Sequence, residues 1–140
     1  MATTRSGPTT LFVCTTCRAS EVPEEGRPCA GARLHAALCA LGAPEGVEIV
    51  PVECLSACNT GAAIALTAPG AWSYVYGHMS EANAAEILTG AAAYAATSDG
   101  LVVWRERPVI FRKQSLARLP PLGTPRGPDP ANDANQDNVP

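Results

Sequence analysis

The chain has 140 residues, enough for one domain with its own core but not for two. A net charge of −3 and a pI of about 5.3 argue against whole-chain attraction to nucleic acid or an anionic membrane, and no apolar run approaches the roughly 20 residues of a membrane span. The opening MATTRSGPTT has no apolar core and does not read as a secretory signal; six cysteines in such a chain point to a reducing cytoplasm, where spaced thiols serve metal or redox chemistry more often than structural disulfides.

Residues 1–8 read as a loose arm. TTLFVC, residues 9–14, has the β-branched and aromatic content of a short buried strand. RASEVPEEGRP is charged and broken by Pro23, Gly26 and Pro28, so it predicts a loop. In CAGARLHAALCALGAP, Leu34, Leu38 and Leu41 form one apolar helix stripe, ended by Gly42 and Pro44. VEIVPVE, residues 47–53, alternates as a strand, and Pro51 assigns it an edge or a strand end. AAIALT (62–67) and WSYVY (72–76) are strands joined by the turn APGA. Ser80 N-caps a helix to about Tyr94, with Ile87, Leu88, Ala91 and Tyr94 on one face, and SDG stops it. A further short helix opens near Pro108. From Leu119 the Pro, Asn and Asp content leaves little to bury, which predicts a disordered tail over 119–140 and one domain over 9–118. The order β-α-β-β-β-α predicts a small α/β domain, a mixed sheet with two main helices and a short C-terminal one.

The chemistry concentrates in two cysteine pairs, Cys14 and Cys17 in CTTC and Cys54 and Cys58 in ECLSAC. If the first two strands are parallel neighbours joined by the first helix, their carboxyl ends meet at one edge of the sheet, where open α/β folds place ligands. Asn59, Thr60 and Gly61 follow the second pair, and amides in such a turn can hydrogen-bond thiolate or inorganic sulfide. Cys29, just before the first helix, can swing in as an alternative to Cys17. Cys39, inside that helix, reads as a small buried apolar side chain.

Four thiols also satisfy tetrahedral zinc, although a C-x3-C pair departs from the C-x2-C knuckles of zinc ribbons. Dithiol exchange is disfavoured because CTTC runs into a loop and not into a helix whose N-terminus would favour the thiolate. The bland alternative is a set of buried thiols with no metal. His78 reads as a solvated turn residue and His35 as structural, while Trp72, Tyr74 and Tyr76 alternate along one strand face as packing residues. The basic RERPVIFRK reads as solvated surface, with docking of an acidic redox partner as the rarer alternative. No Ser-His-Asp grouping, P-loop or dinucleotide fingerprint is present, so an enzyme is not expected.

With FVCTTC, VECLSACNTGAAIAL and PGAWSYVYG together, the sequence resembles the thioredoxin-like 2Fe-2S ferredoxins, small bacterial electron carriers that also include a cluster-bearing domain of respiratory complex I. Within that group it is most similar to a bacterial family of predicted metal-binding proteins, domain of unknown function 1636. The similarity is carried by Cys14–Arg18, Glu53–Cys58, Pro69–Tyr74, Tyr94–Gly100 and Trp104–Pro108, and spans residues 9–120. The resemblance implies a thioredoxin-like fold and a 2Fe-2S cluster, or zinc in its place, held by Cys14, Cys17, Cys54 and Cys58. The ferredoxins carry a ligand close to the position of Cys29, whereas the closer family commonly has Pro or Gly there, which favours Cys17. Members often carry a further Cys at the position of Ala62, so that position is not an essential ligand. The resemblance further implies a redox partner protein, a homodimer and, by analogy alone, a link to cobalt and cobalamin metabolism.

Overall fold

The computed structural model describes residues 8–19, 21–57 and 60–125. Residues 1–7 of the expected arm over 1–8, Ser20, the proposed ligand Cys58 with its neighbour Asn59, and residues 126–140 of the expected tail over 119–140 lie outside the described residues.

β1 (Thr9–Cys14) leads through the predicted loop to α1 (Ala30–Leu41), then to β2 (Val47–Val52), β3 (Ala62–Thr67) and β4 (Ser73–Met79). A single 3-10 turn over Glu81–Asn83 runs straight into α2 (Ala84–Ala95). A second 3-10 turn over Trp104–Glu106 precedes α3 (Val109–Lys113) and β5 (Ser115–Leu119). The strands form one sheet in the order β2-β1-β3-β4-β5. β1 and β2 are parallel, joined by α1, and the other neighbours are antiparallel. This is the expected mixed sheet with two main helices and a short C-terminal one, and it is thioredoxin-like.

Strand alternation explains where the core sits. Leu11 and Val13 of β1 pair with Leu66 and Ile64 of β3, and all four side chains are fully buried. Against them pack Leu34 and Leu38 of α1 and Ile87, Ala91 and Tyr94 of α2, and the two helices also touch each other. Leu41 was expected to complete the α1 stripe but is exposed at 59%. It is the last residue of the helix, beyond the contact with the sheet, and Gly42 ends the turn there with φ 88. Cys39 is likewise corrected: it is exposed, with Sγ 3.5 Å from His35 Nε2 one turn back.

Pro51 lies on the edge strand β2, where a missing N–H costs no central ladder bond. Ser80 caps the turn before α2, its N–H donating to Asn83 Oδ1 at 2.9 Å. β5 is an addition to the expected order. All five of its residues are exposed, so it carries no apolar alternation from which a strand could be read. Its Arg118 lies over the Trp72 ring, 4.7 Å from the centroid.

The far end of the molecule is self-braced. The Tyr94 hydroxyl donates to the Trp72 carbonyl at 2.5 Å, and Trp72 N–H donates to Asp99 at 2.8 Å, tying the end of α2 to the β3–β4 hairpin. Arg107 Nε donates to the Val102 carbonyl at 2.8 Å, and Arg112 Nε to those of Trp104 and Arg107 at 3.1 Å. These arginines of the basic segment therefore hold their own loop together.

The burial contrast within α1 is testable. Leu38→Ala is expected to lower unfolding stability by about 2–5 kcal/mol, and Leu41→Ala by less than about 0.5 kcal/mol, measured by urea denaturation of both variants.

Candidate metal centre

The parallel register sets Cys14 opposite Val52, so the two strands end together. One residue further on, Thr15 N–H donates to the Val52 carbonyl at 2.8 Å and its hydroxyl to the same oxygen at 3.0 Å. The CTTC turn is thereby docked on the backbone that leads to Cys54. The Cys14 thiol donates to the Glu53 carbonyl at 3.5 Å, and the Thr16 hydroxyl donates to that carbonyl too.

Cys14 is fully buried, and Cys17, at 3% exposure, points its Sγ at the Cys14 Sγ from 2.9 Å. Burial resists ionisation of Cys14. Hydrogen bonds from the Cys17 thiol, from the Leu55 and Thr16 backbone and from the Thr16 side chain outweigh it together and hold the thiol below its ordinary pKa. Glu53 and Leu55 flank Cys54, so the second cysteine loop touches the Cys14 sulfur on both sides of Cys54. Cys54 is itself exposed, and its Sγ accepts the Ser56 N–H at 3.1 Å, with Ser56 in the left-handed region at φ 58. Cys58 lies outside the described residues; its neighbours Ala57 and Thr60 are joined by Thr60 N–H donating to the Ala57 carbonyl at 3.0 Å.

Cys29 also reaches the turn. It stands at the N-cap of α1, half-buried, and its thiol donates to the Thr15 carbonyl at 3.0 Å. The helix end that seemed absent from CTTC in sequence is present in space, because Gly31 N–H donates to the Cys17 carbonyl at 2.8 Å. Gly31 is the residue that sequence reasoning missed. A Cβ there would overlap the Cys14 carbonyl oxygen, so only glycine lets the helix come this close.

Among the described residues no three Cys, His, Asp or Glu side chains already converge on one ion position. Two thiolates on one tetrahedral ion at about 2.3 Å stand about 3.8 Å apart, so the Cys14–Cys17 pair would open by about an ångström to share one. The donor set nonetheless fits a thiolate-held metal or cluster: N–H groups from Leu55, Thr16 and Ser56 are aimed at sulfur, which offsets thiolate charge. His78 is exposed in β4 at φ 54, its Cα beside Gly61, and His35 lies on α1 with Cys39, away from the cysteine turns.

A family model described as protein of unknown function (DUF1636) matches residues 11–121. The chain belongs to that family. No curated protein matches it in sequence. Among solved structures, this DUF1636 chain is similar to a thioredoxin-like 2Fe-2S ferredoxin from Aquifex aeolicus, at 16% identity and TM-score 0.51 over 89% of this chain and 100% of that one. Two Cys-to-Ser variants of the ferredoxin match at 15% identity and TM-score 0.50, over 78% of this chain and 98% of theirs. At that identity the likeness establishes the fold.

Two outcomes test the local geometry. Gly31→Ala is expected to cost about 1–3 kcal/mol in thermal or urea unfolding, because helix α1 must retreat from the Cys14 carbonyl. Because the fold favours ionised Cys14, thiolate absorbance in the metal-free protein should persist to lower pH than in the urea-unfolded chain, and Cys14→Ser should remove that component. The matching stability is full above the unfolded thiol pKa and is lost as pH falls through the folded one.

Proposed function

We propose that this chain is a metal-binding protein of the iron–sulfur type, which holds a 2Fe-2S cluster and carries single electrons to or from a partner protein without catalysing a substrate reaction. The observation that carries this reading is the contact of two cysteine-bearing turns at the carboxyl ends of parallel β1 and β2, with backbone N–H groups directed at their sulfurs. Cys14, Cys17, Cys54 and Cys58 would hold the group, with Cys29 as the alternative to Cys17. When bound, such a cluster supplies a one-electron couple whose charge spreads over two irons and bridging sulfide.

The chain's own contribution is electrostatic and positional. Leu55 and Thr16 N–H groups stabilise negative charge on the Cys14 sulfur, and the Ser56 N–H does so for Cys54. Cys14 sits beneath the sheet edge, shielded from water, while exposed Cys54 brings its sulfur to the surface where a partner can approach. The similarity to a 2Fe-2S ferredoxin supports this reading through the fold, and pairing with a second copy of the chain is part of the proposal. Among the described residues no helix is long and apolar enough to cross a membrane, and a cytoplasmic setting is part of the proposal.

The close C-x2-C pair of Cys14 and Cys17 favours one second reading, a zinc or cobalt protein with no redox turnover. Purification without oxygen separates the two. A brown protein with bleachable visible bands and about two irons per chain supports the cluster; a colourless one with a single bound zinc or cobalt supports the second reading. Cys54→Ser is expected to abolish loading in either case and exposed Cys39→Ser to leave it unchanged, and full loading of Cys17→Ser would transfer the fourth position to Cys29.

A further inference from the structure

Among the described residues, the shortest contact between two cysteine side chains in the site is between Cys14 and Cys17. Their sulfurs lie 2.9 Å apart, closer than two thiolates on one ion would stand and well inside ordinary sulfur contact. Both residues are held from the backbone. Thr15, next to Cys14, is clamped to Val52, and the Cys17 carbonyl is held by the Gly31 N–H at the start of the 12-residue α1. Cys29 is engaged elsewhere, its thiol on the Thr15 carbonyl, so it does not compete for the short contact. Thr16 and Arg18 on either side of Cys17 are exposed, while Cys17 is 3% exposed and Cys14 fully buried, so a small oxidant reaches the pair when this surface turn opens.

We propose that Cys14 and Cys17 are a reversible dithiol–disulfide couple, and that closing it withdraws two sulfur donors from the metal centre. The gate rests on the metal reading; the couple does not. With hydrogen peroxide as oxidant, the Cys14 thiolate attacks one peroxide oxygen, the O–O bond breaks, and hydroxide leaves, giving a sulfenic acid. The Cys17 sulfur then attacks the Cys14 sulfur, the S–S bond forms and the S–O bond breaks. The released hydroxyl takes the Cys17 proton and leaves as water. Each sulfur has given one electron, and peroxide has taken two to become one water and one hydroxide, the hydroxide becoming the second water with the proton that Cys14 lost on ionising. Two equivalents of a thiol of the glutathione class reopen the bond through a mixed disulfide and leave as their own disulfide.

The test uses the full chain, stripped of metal and fully reduced, then treated with a slight excess of peroxide. Expected are the loss of two of its six thiols, an intact mass lower by two hydrogens, a peptide map linking Cys14 to Cys17, and full reversal by reduced glutathione. Cys17→Ala should instead stop at a Cys14 sulfenic acid trapped by dimedone. A map that links either residue to Cys29, Cys54 or Cys58, or wild-type protein that accumulates Cys14 sulfenic acid to the same extent as Cys17→Ala, overturns the couple.

The gate is read separately, by zinc titration of the closed and the reopened protein against a chromophoric chelator. Binding at least about tenfold weaker in the closed form is expected, and equal binding overturns the gate. Reduced protein that takes up neither zinc nor iron sulfide sinks the metal reading together with the gate, and the peptide map alone then decides the couple. Reduced protein that loads metal but never forms the Cys14–Cys17 bond sinks the couple and leaves the metal reading standing.

Discussion

The site depends on the parallel pairing of β1 and β2. Parallel strands joined by a helix end at the same edge of their sheet, so the residues that leave them must share space. Here the register sets Cys14 against Val52, and Thr15 extends the ladder by one more bond before the chain turns. Residues some forty positions apart in sequence are thereby brought into hydrogen-bonding contact, as the Cys14 thiol and the Glu53 carbonyl show. An antiparallel pairing of the same segments would put the two cysteine turns at opposite ends of the sheet.

Opposing electrostatic effects are balanced at that edge. Burial of the Cys14 sulfur opposes its ionisation, and hydrogen bonds from the Cys17 thiol, the Leu55 and Thr16 amides and the Thr16 side chain together more than offset that cost. The second contribution comes from α1, whose first turn rests on the CTTC backbone through Gly31. The approach needs the absence of a side chain, since a Cβ would collide with the Cys14 carbonyl. A single small residue thus couples the helix, the core beneath it and the sulfur pair.

The segments that most resemble the family divide between two ends of the molecule. CTTC and ECLSAC lie at the sulfur edge. The segments Tyr94–Gly100 and Trp104–Pro108 lie at the other, where Tyr94 holds Trp72, Gly100 packs against it at φ 83, and Arg107 crosses the faces of Tyr74 and Trp104. Those residues keep the β3–β4 hairpin and α2 in place, so the core on which β1 rests does not shift. Their contacts brace the sheet, and among the described residues the side-chain hydrogen bonds of Tyr94 and Arg107 run to the Trp72 and Val102 carbonyls.

Local signals were strong wherever burial imposes a period. Leu34, Leu38, Ile87, Ala91 and Tyr94 announce two helices, the alternation in β1 and β3 announces strands, and Pro51 announces an edge. The cysteine spacing in the sequence was likewise enough to mark the two turns and the chemistry their thiols suit. Three features needed tertiary structure, each because its cause lies in distant parts of the chain. β5 is wholly exposed and is held by pairing with β4, not by a pattern of its own. Leu41 and Cys39 have the residue types of a buried stripe, but α1 meets the core through Ala30, Leu34, Ala37 and Leu38, and Cys39 and Leu41 stay exposed. The N-terminus of α1 lies far along the chain from CTTC and reaches it only when β1 and β2 pair side by side and draw the intervening helix back over the sheet.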